Sequence, residues 1–329
     1  MLYIHGMGHF HPENVITNRF LEELDIGSSE EWIRDRVGIL ARRTALPLDY
    51  IRTTKNRDPR AAIEASLYTN AGTGALAAKM ALERAGLMPG DIGLVLSGSS
   101  ASDHLTPAEA STVAGELGIE APCMDLNSAC STFGMQAGWI SWMQPEKLPP
   151  FILLVQPENL TRSVDYSDRR VAPLFGDGSS AAVVSATVPS KVRLVDAFCG
   201  SAPSQWDKVC IPRFGHFNQN GNAVQGFAIR RSTDSLKQLQ DKYETGGVPF
   251  IFIGHQANYG MLRTVCERCG IESENHWFNV VDYGNTGCSS GPAVLSQRWE
   301  RLKPGDGIAM VLVGSGLSWA SLMLTAAEA

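Results

Sequence analysis

The chain has 329 residues, 44 % hydrophobic and 19 % charged, a globular composition with material for a large core and room for about two domains. Its 28 basic and 34 acidic residues give a net charge of −6 with no long run of one sign. That argues against a nucleic-acid binder, because no broad basic surface is available to collect phosphates. No apolar run approaches the ~20 residues needed to span a bilayer, and the first residues lack the basic and apolar regions of a signal peptide. Seven scattered cysteines, an odd number, do not outline a disulfide framework. The expectation is a soluble, cytoplasmic protein that engages neither membrane nor nucleic acid.

In chain order, Asp91–Leu96 predicts a buried strand. Thr106 and Pro107 are expected to open a helix reaching about Leu117, with Thr106 as its cap and Pro107 in its first turn. Ala121–Leu126 reads as a short strand, Ser131–Met143 as a mostly apolar helix, and Phe151–Val155 and Ser180–Val184 as further strands. The order then repeats: strand Val248–Gly254, helix Ala257–Cys269 ended by Gly270, strand Trp277–Val281, helix Ser289–Leu302, and strands Ile308–Val313 and Leu317–Leu324. Unbroken β-branched and leucine runs bounded by Gly and Pro indicate strands buried on both faces between helices. Two α/β halves of like order, residues 1–185 and 186–329, predict an internal duplication. Residues from about 186 to 245, richer in polar, Gly and Asn positions, fit neither half and are expected to cover a pocket.

The segment Asp125-Leu-Asn-Ser-Ala-Cys130-Ser-Thr-Phe-Gly-Met places a cysteine among small residues at a strand-to-helix junction. There a helix dipole is expected to lower the thiol pKa, and the small neighbours allow a sharp turn that exposes the sulfur. A lone cysteine is more often inert and buried; company changes that reading. Gly254-His255-Gln-Ala-Asn258 sets a histidine directly after a strand, and Tyr283-Gly-Asn285-Thr-Gly-Cys sets an asparagine at the matching turn of the last repeat. Turns at the carboxyl ends of strands are where sites assemble in open α/β sheets.

These residues resemble the β-ketoacyl-ACP synthase III family of thiolase-fold condensing enzymes. Glu31-Trp32-Ile-Arg-Asp-Arg36-Val-Gly-Ile, the elbow around Cys130, Phe175-Gly-Asp-Gly-Ser-Ser, Asn220-Gly221-Asn222, His255-Gln-Ala-Asn258, Gly284-Asn285-Thr and Gly314-Ser-Gly316-Leu-Ser-Trp319 follow in the family's order across nearly the whole chain. The resemblance implies the five-layered α-β-α-β-α thiolase fold and a homodimer. It also implies an acyltransferase in which Cys130 carries an acyl group from acyl-CoA. His255 and Asn285 would stabilise the enolate formed as a malonyl group on acyl carrier protein loses carbon dioxide, and the N–H groups of Cys130 and Gly316 would form the oxyanion hole. Trp32 and Arg36 match positions that hold the adenine end of coenzyme A, and Gly221, Asn222 and Asn258 match positions along the pantetheine arm. No metal and no cofactor beyond coenzyme A thioesters is expected.

Three departures bear on specificity. Gly260 stands where the family usually has an arginine that helps bind the carrier protein. Thr106 stands where acetyl-selective relatives have a phenylalanine that closes the acyl pocket from the partner subunit. This favours a primer longer than acetyl, or a dicarboxylic one whose far end could meet Arg230 or Arg231. Leu46 to about Tyr68 resembles an insertion carrying Arg52, Lys55, Arg57 and Arg60. It is either a solvated loop or a contact for an acidic carrier or phosphate. A similar long segment occurs in enzymes of specialised routes such as biotin-precursor and dialkylresorcinol synthesis. A condensing enzyme that joins two longer acyl chains is the alternative; a papain-type Cys-His-Asn hydrolase, whose Cys-Gly-Ser-Cys-Trp-like segment is missing, and a catalytically dead thiolase-fold subunit, which would have lost the Cys or His, stand well behind. The Cys266-x-x-Cys269 pair within one helix reads as structural, and Trp139 and Trp142 as core or interface.

Overall fold

The computed structural model describes residues 1–243 and 250–327. Its main sheet has nine strands: β1 (Leu2–Phe10), β2 (Ile92–Ser97), β3 (Cys123–Asp125), β4 (Phe151–Glu158), β5 (Gly178–Ser185), β6 (Val192–Ser201), β7 (Ile251–Gly254), β8 (Gly307–Gly314) and β9 (Ser318–Ala326). They lie side by side in the order β7-β8-β9-β6-β1-β5-β4-β2-β3. Strands from residues 2–185 make one half, strands from 192–326 the other, and the halves join through the short antiparallel pairing Leu2↔Leu194 to Ile4↔Val192. Each half repeats one plan: β2 is parallel to β4 as β7 is to β8, and β4 is antiparallel to β5 as β8 is to β9.

Seven helices matter here: α1 (Glu30–Val37), α2 (Asn70–Ala85), α3 (Glu109–Leu117), α4 (Thr132–Trp142), α5 (Gly221–Tyr243), α6 (Tyr259–Cys269) and α7 (Ser290–Gln297). α2 and α3 cover the outer face of the first half and α5 and α6 that of the second, while α4 and α7 run between the two half-sheets and touch strands of both. The result is the expected α-β-α-β-α layering. Strands β4 and β5 are buried almost throughout, which accounts for their unbroken apolar and small-residue runs. α2 buries an alanine-rich stripe against β1. The approach is so close that a side chain at Gly8 would meet the Ala77 carbonyl oxygen at 1.9 Å, and one at Gly6 the Ala81 oxygen at 2.2 Å.

Several expectations are corrected. The helix expected at Thr106–Pro107 starts at Glu109; its first N–H groups, of Glu109 and Ala110, donate to the Asp125 carboxylate (2.8 and 2.9 Å), so Thr106 caps nothing. Trp277–Val281 forms no strand; just before it, His276 makes one parallel bridge to Phe252, on the free edge of β7 where β3 stands in the first half. Beyond it the N–H groups of Asn279 and Val280 donate to Gln256 Oε1 (3.1 and 3.2 Å), which turns the chain into a short helix, Val280–Tyr283. The last long helix is shorter than expected, and α7 ends at Gln297. The span 186–245 is not one cover: it holds central strand β6 and the 23-residue α5, and only residues from 209 to 219 and the first two turns of α5 line the cavity. Val248 and Pro249 of the expected strand lie outside the described residues.

Because the atoms a side chain at Gly8 would strike are helix backbone, no rotamer change relieves the clash. Gly8→Val is expected to destabilise the protein by about 3 kcal/mol or more, read as a fall in Tm and in soluble yield. An unchanged Tm would show that α2 can lift from β1 freely.

Candidate active site

Cys130 sits in a tight turn directly before α4. Ala129, just ahead of it, has φ +47°, a left-handed conformation uncommon for a residue with a side chain. The turn is held by its own neighbours: Ala129 N–H donates to Asn127 Oδ1 (2.9 Å), Ser128 N–H to Thr132 Oγ1 (2.9 Å), and the Thr132 hydroxyl to the Ala129 carbonyl (2.6 Å). Small polar residues are needed here because each bonds within the turn. Across from it, the end of β8 comes so close that a side chain at Gly314 would meet Cys130 N at 3.1 Å and the Ser128 carbonyl oxygen at 2.6 Å.

His255 follows β7 and is 7 % exposed. Its Nδ1 is buried without a hydrogen-bond partner among the described residues, and burial lowers its pKa to about 4, so the ring is neutral at physiological pH. Asn285 is also buried, and its Oδ1 accepts from Gly287 N–H (3.0 Å). A backbone N–H identifies that end of the amide as oxygen, which leaves the NH2 end as the free donor. Gly176 N–H donates to the Asn285 carbonyl (3.1 Å) and Asn285 N–H to the Leu174 carbonyl (2.9 Å), tying this turn to the Phe175-Gly-Asp motif.

All three side chains face one cavity of about 670 Å³. Its wall also includes Trp32, Arg36, Gly221, Asn222 and Asn258, five residues dispersed over more than two hundred positions of chain. The Arg169 guanidinium lies over the Trp32 ring at 4.6 Å, a partner that the sequence reading missed because nothing local marks it. Asn258 has a second task, since its Oδ1 accepts from Met261 N–H (2.8 Å) and caps α6. Gly314, Ser315 and Leu317 line the wall, with Gly316 turning between them at φ +126°.

Other expected residues stand elsewhere. Thr106 is exposed and forms no part of this chain's cavity. Arg230 is exposed and Arg231 stacks on Trp319 at 4.4 Å; neither lines the wall, so the expected ion pair with a dicarboxylic primer has no support from them. The basic segment folds as two short helices, Leu48–Thr54 and Pro59–Ala65, with Arg52 paired to Asp49 (3.0 Å) and Arg60 to Asp58 (3.4 Å). Cys266 and Cys269 are buried and form no disulfide, and the Cys269 thiol donates to the Thr233 carbonyl (3.8 Å), in keeping with a structural role. Trp139 and Trp142 are 50 % and 59 % exposed and therefore not core. No helix among the described residues is long and apolar enough to cross a membrane.

The expected lowering of the Cys130 pKa is reversed. Burial first, and the Glu158 carboxylate second, push the thiol up to about 12.

Comparison with known proteins settles the family. A family model described as 3-oxoacyl-[acyl-carrier-protein] synthase III matches residues 124–203, and its C-terminal counterpart matches 250–326. The chain is 33 % identical over 331 residues to a β-ketoacyl-[acyl-carrier-protein] synthase III of Bacillus cereus, covering 97 % of each protein. The chain belongs to the β-ketoacyl-ACP synthase III family. It is therefore a condensing acyltransferase with the thiolase fold. The crystal structure of 3-oxoacyl-[acyl-carrier-protein] synthase III from Aquifex aeolicus superposes with TM-score 0.85 at 26 % identity, over 99 % of this chain and all of that one. The priming β-ketosynthase of the R1128 polyketide pathway follows at TM-score 0.81 and 26 % identity, covering 100 % of this chain and 97 % of its own.

With its pKa at about 12, the Cys130 thiol of the free enzyme should be alkylated by iodoacetamide at a rate that rises about tenfold per pH unit from pH 7 to 10. Peptide mass spectrometry can follow the reaction. A plateau below about pH 8.5 would show a lowered pKa, as the helix dipole alone would give.

Proposed function

We propose that the protein joins an acyl-CoA primer to a malonyl group on acyl carrier protein by decarboxylative Claisen condensation, giving a β-ketoacyl thioester. The observation that carries this is the meeting of Cys130, neutral His255 and the donor end of Asn285 on one cavity wall. Cys130 Sγ attacks the primer's carbonyl, the bond to coenzyme A sulfur breaks, and the thiol proton leaves with coenzyme A. The N–H groups of Cys130 and Gly316 are assigned to the oxyanion; the packing of Gly314 against the Cys130 backbone supports this pairing of turn and elbow. The malonyl C–C bond then breaks, carbon dioxide departs, and His255 and Asn285 donate to the enolate oxygen. The carbanion attacks the acyl-cysteine and expels the Cys130 sulfur. At the mouth, Trp32 with Arg36 would take the adenine end of coenzyme A, and Gly221, Asn222 and Asn258 the pantetheine arm.

The working unit is a homodimer. Strand β3 has a free outer edge at the end of the sheet, and beside it Met124 is 52 % and Leu105 72 % exposed. Pairing of β3 with its counterpart would cover these residues and bring Thr106 towards the partner's cavity. Thr106 in place of an aromatic ring favours a primer longer than acetyl, each buried methylene contributing about 0.8 kcal/mol. A specialised pathway, of the biotin-precursor or resorcinol kind, is the second reading, favoured by the helical insertion and by the likeness to a polyketide priming enzyme.

Cys130→Ala should abolish acyl transfer from labelled acyl-CoA while the protein stays folded. His255→Ala and Asn285→Ala should each slow malonyl decarboxylation by ~10²-fold or more, with less effect on Cys130 acylation. Equal loss in both half-reactions would make His255 the base for the thiol instead.

Acetyl-, octanoyl- and glutaryl-CoA in competition should give octanoyl-CoA the highest kcat/KM, and Thr106→Phe should move the preference towards acetyl. Sedimentation should show a dimer that Met124→Asp weakens. A preference of the parent for acetyl-CoA refutes the primer reading, and a parent that sediments as a monomer refutes the assembly.

A further inference from the structure

Glu158, the last residue of β4, is fully buried, and the decarboxylative mechanism has no use for it. Its Oε1 accepts from the Ser99 hydroxyl (3.1 Å) and Ser100 N–H (3.1 Å), and its Oε2 from Ser100 N–H (3.2 Å) and Cys288 N–H (3.2 Å). All of these partners donate, and no Lys, Arg or His is among them. The Arg162 guanidinium joins the same network at a distance, through Asn70 and Ser99, but is paired with Asp103 (2.5 Å). A lone carboxylate with neutral donors is an expensive thing to bury.

Its position gives the cost a reason. Ser100 is on the cavity wall, and Cys288 lies three residues after Asn285, in the turn that opens α7. The carboxylate joins these two wall segments by backbone bonds. The turn is moulded around it: a side chain at Gly287, which has φ +57°, would strike Glu158 Oε2 at 2.5 Å. Gly287 N–H is the group that fixes the Asn285 amide (3.0 Å). The titratable groups around Cys130 are then Glu158 and the Cys288 thiol beneath, the latter donating to the Gly98 carbonyl (3.2 Å), and neutral His255 across the cavity.

We infer that Glu158 is a positioning residue with two effects: its hydrogen bonds set the Asn285 donor for the enolate, and its charge holds Cys130 in the thiol form. The turn that carries Cys130 packs against the Gly287–Ser289 turn, which itself packs on the strand ending at Glu158, and burial and the Glu158 carboxylate both raise the Cys130 pKa. A resting thiol resists oxidation and adventitious alkylation, and still yields its proton when coenzyme A leaves.

The inference rests on the roles given above to Cys130 and Asn285, and the two can fail separately. Mass spectrometry of Cys130 alkylation reads the thiol whatever the reaction, and acylation of the parent enzyme tests the role itself. Glu158→Gln keeps the volume but removes the charge and one acceptor. It should shift the pH profile of Cys130 alkylation downwards, raising the rate at pH 7.5 about tenfold, and slow malonyl decarboxylation at least tenfold. Glu158→Asp keeps the charge but withdraws it from the turn, so decarboxylation should fall while the alkylation profile stays near the parent's. A purely structural role would lower Tm in both variants without moving the profile. If Glu158→Gln does not fold, the Asp variant decides: decarboxylation at the parent's rate overturns the inference. Where both fold, a Gln profile superimposed on the parent's overturns the charge effect.

Discussion

Between the half-sheets, α4 and α7 pass so near the strands that one added methyl would collide. At Gly134 it would meet Ala320 at 2.5 Å, at Gly138 the Cys199 sulfur at 2.8 Å, and at Gly291 Leu312 at 2.4 Å. Helices gripped on both sides cannot slide, so the turns that open them are fixed with respect to each other. Those turns carry Cys130 and Asn285. The repeated plan thus supplies two like helix starts at the centre of the molecule, one carrying Cys130 and the other following Asn285.

The same dense packing sets the electrostatics. It raises the Cys130 thiol to about 12 and lowers His255 to about 4, so both groups rest uncharged. Chemistry that passes through an enolate and loses a carboxylate is served by fixed neutral donors, which need not reorganise as charge develops. Charges are kept beneath the wall. Asp177 accepts from the N–H groups of Ala45 and Thr161 (both 2.7 Å) and from the Thr161 hydroxyl (2.6 Å), with burial raising its pKa to about 6. Arg42 is buried and donates to the Pro173 carbonyl and to Asn18, and a side chain at Gly284 would meet it at 2.9 Å; Asp177 N–H donates to the carbonyl of the next residue, Arg43 (2.8 Å). Together these bonds hold the Phe175-Gly-Asp segment against the Asn285 turn.

Where a segment's burial is uniform, its structure was legible. The runs at β2, β4, β8 and β9 are apolar on both faces because helices cover both, and that leaves a continuous signal. β6 was missed because its exposure is mixed along the strand, so no periodicity dominates. The 23 residues of α5 carry an apolar face against α6 and β8 and a solvated one opposite, and its Gly-Asn start resembles a loop. At Trp277–Val281 the residues favour a strand, but Gln256 offers its side-chain oxygen to two consecutive N–H groups and the ladder stops after one bridge.

The sequence by itself determined the family, and it marked Cys130, His255 and Asn285 as neighbours of small residues at turns, because small residues are a local requirement of such turns. Tertiary structure alone decided what depends on atoms brought from far along the chain. Asp125, not Thr106, ends the orphan N–H groups of α3. Arg169 meets Trp32, and Arg231 turns to Trp319 instead of the cavity. The sign of the Cys130 shift belongs with these. A helix start predicts a lowered pKa from sequence, but desolvation is the sum of everything packed around the sulfur, and Glu158 reaches it from a different strand.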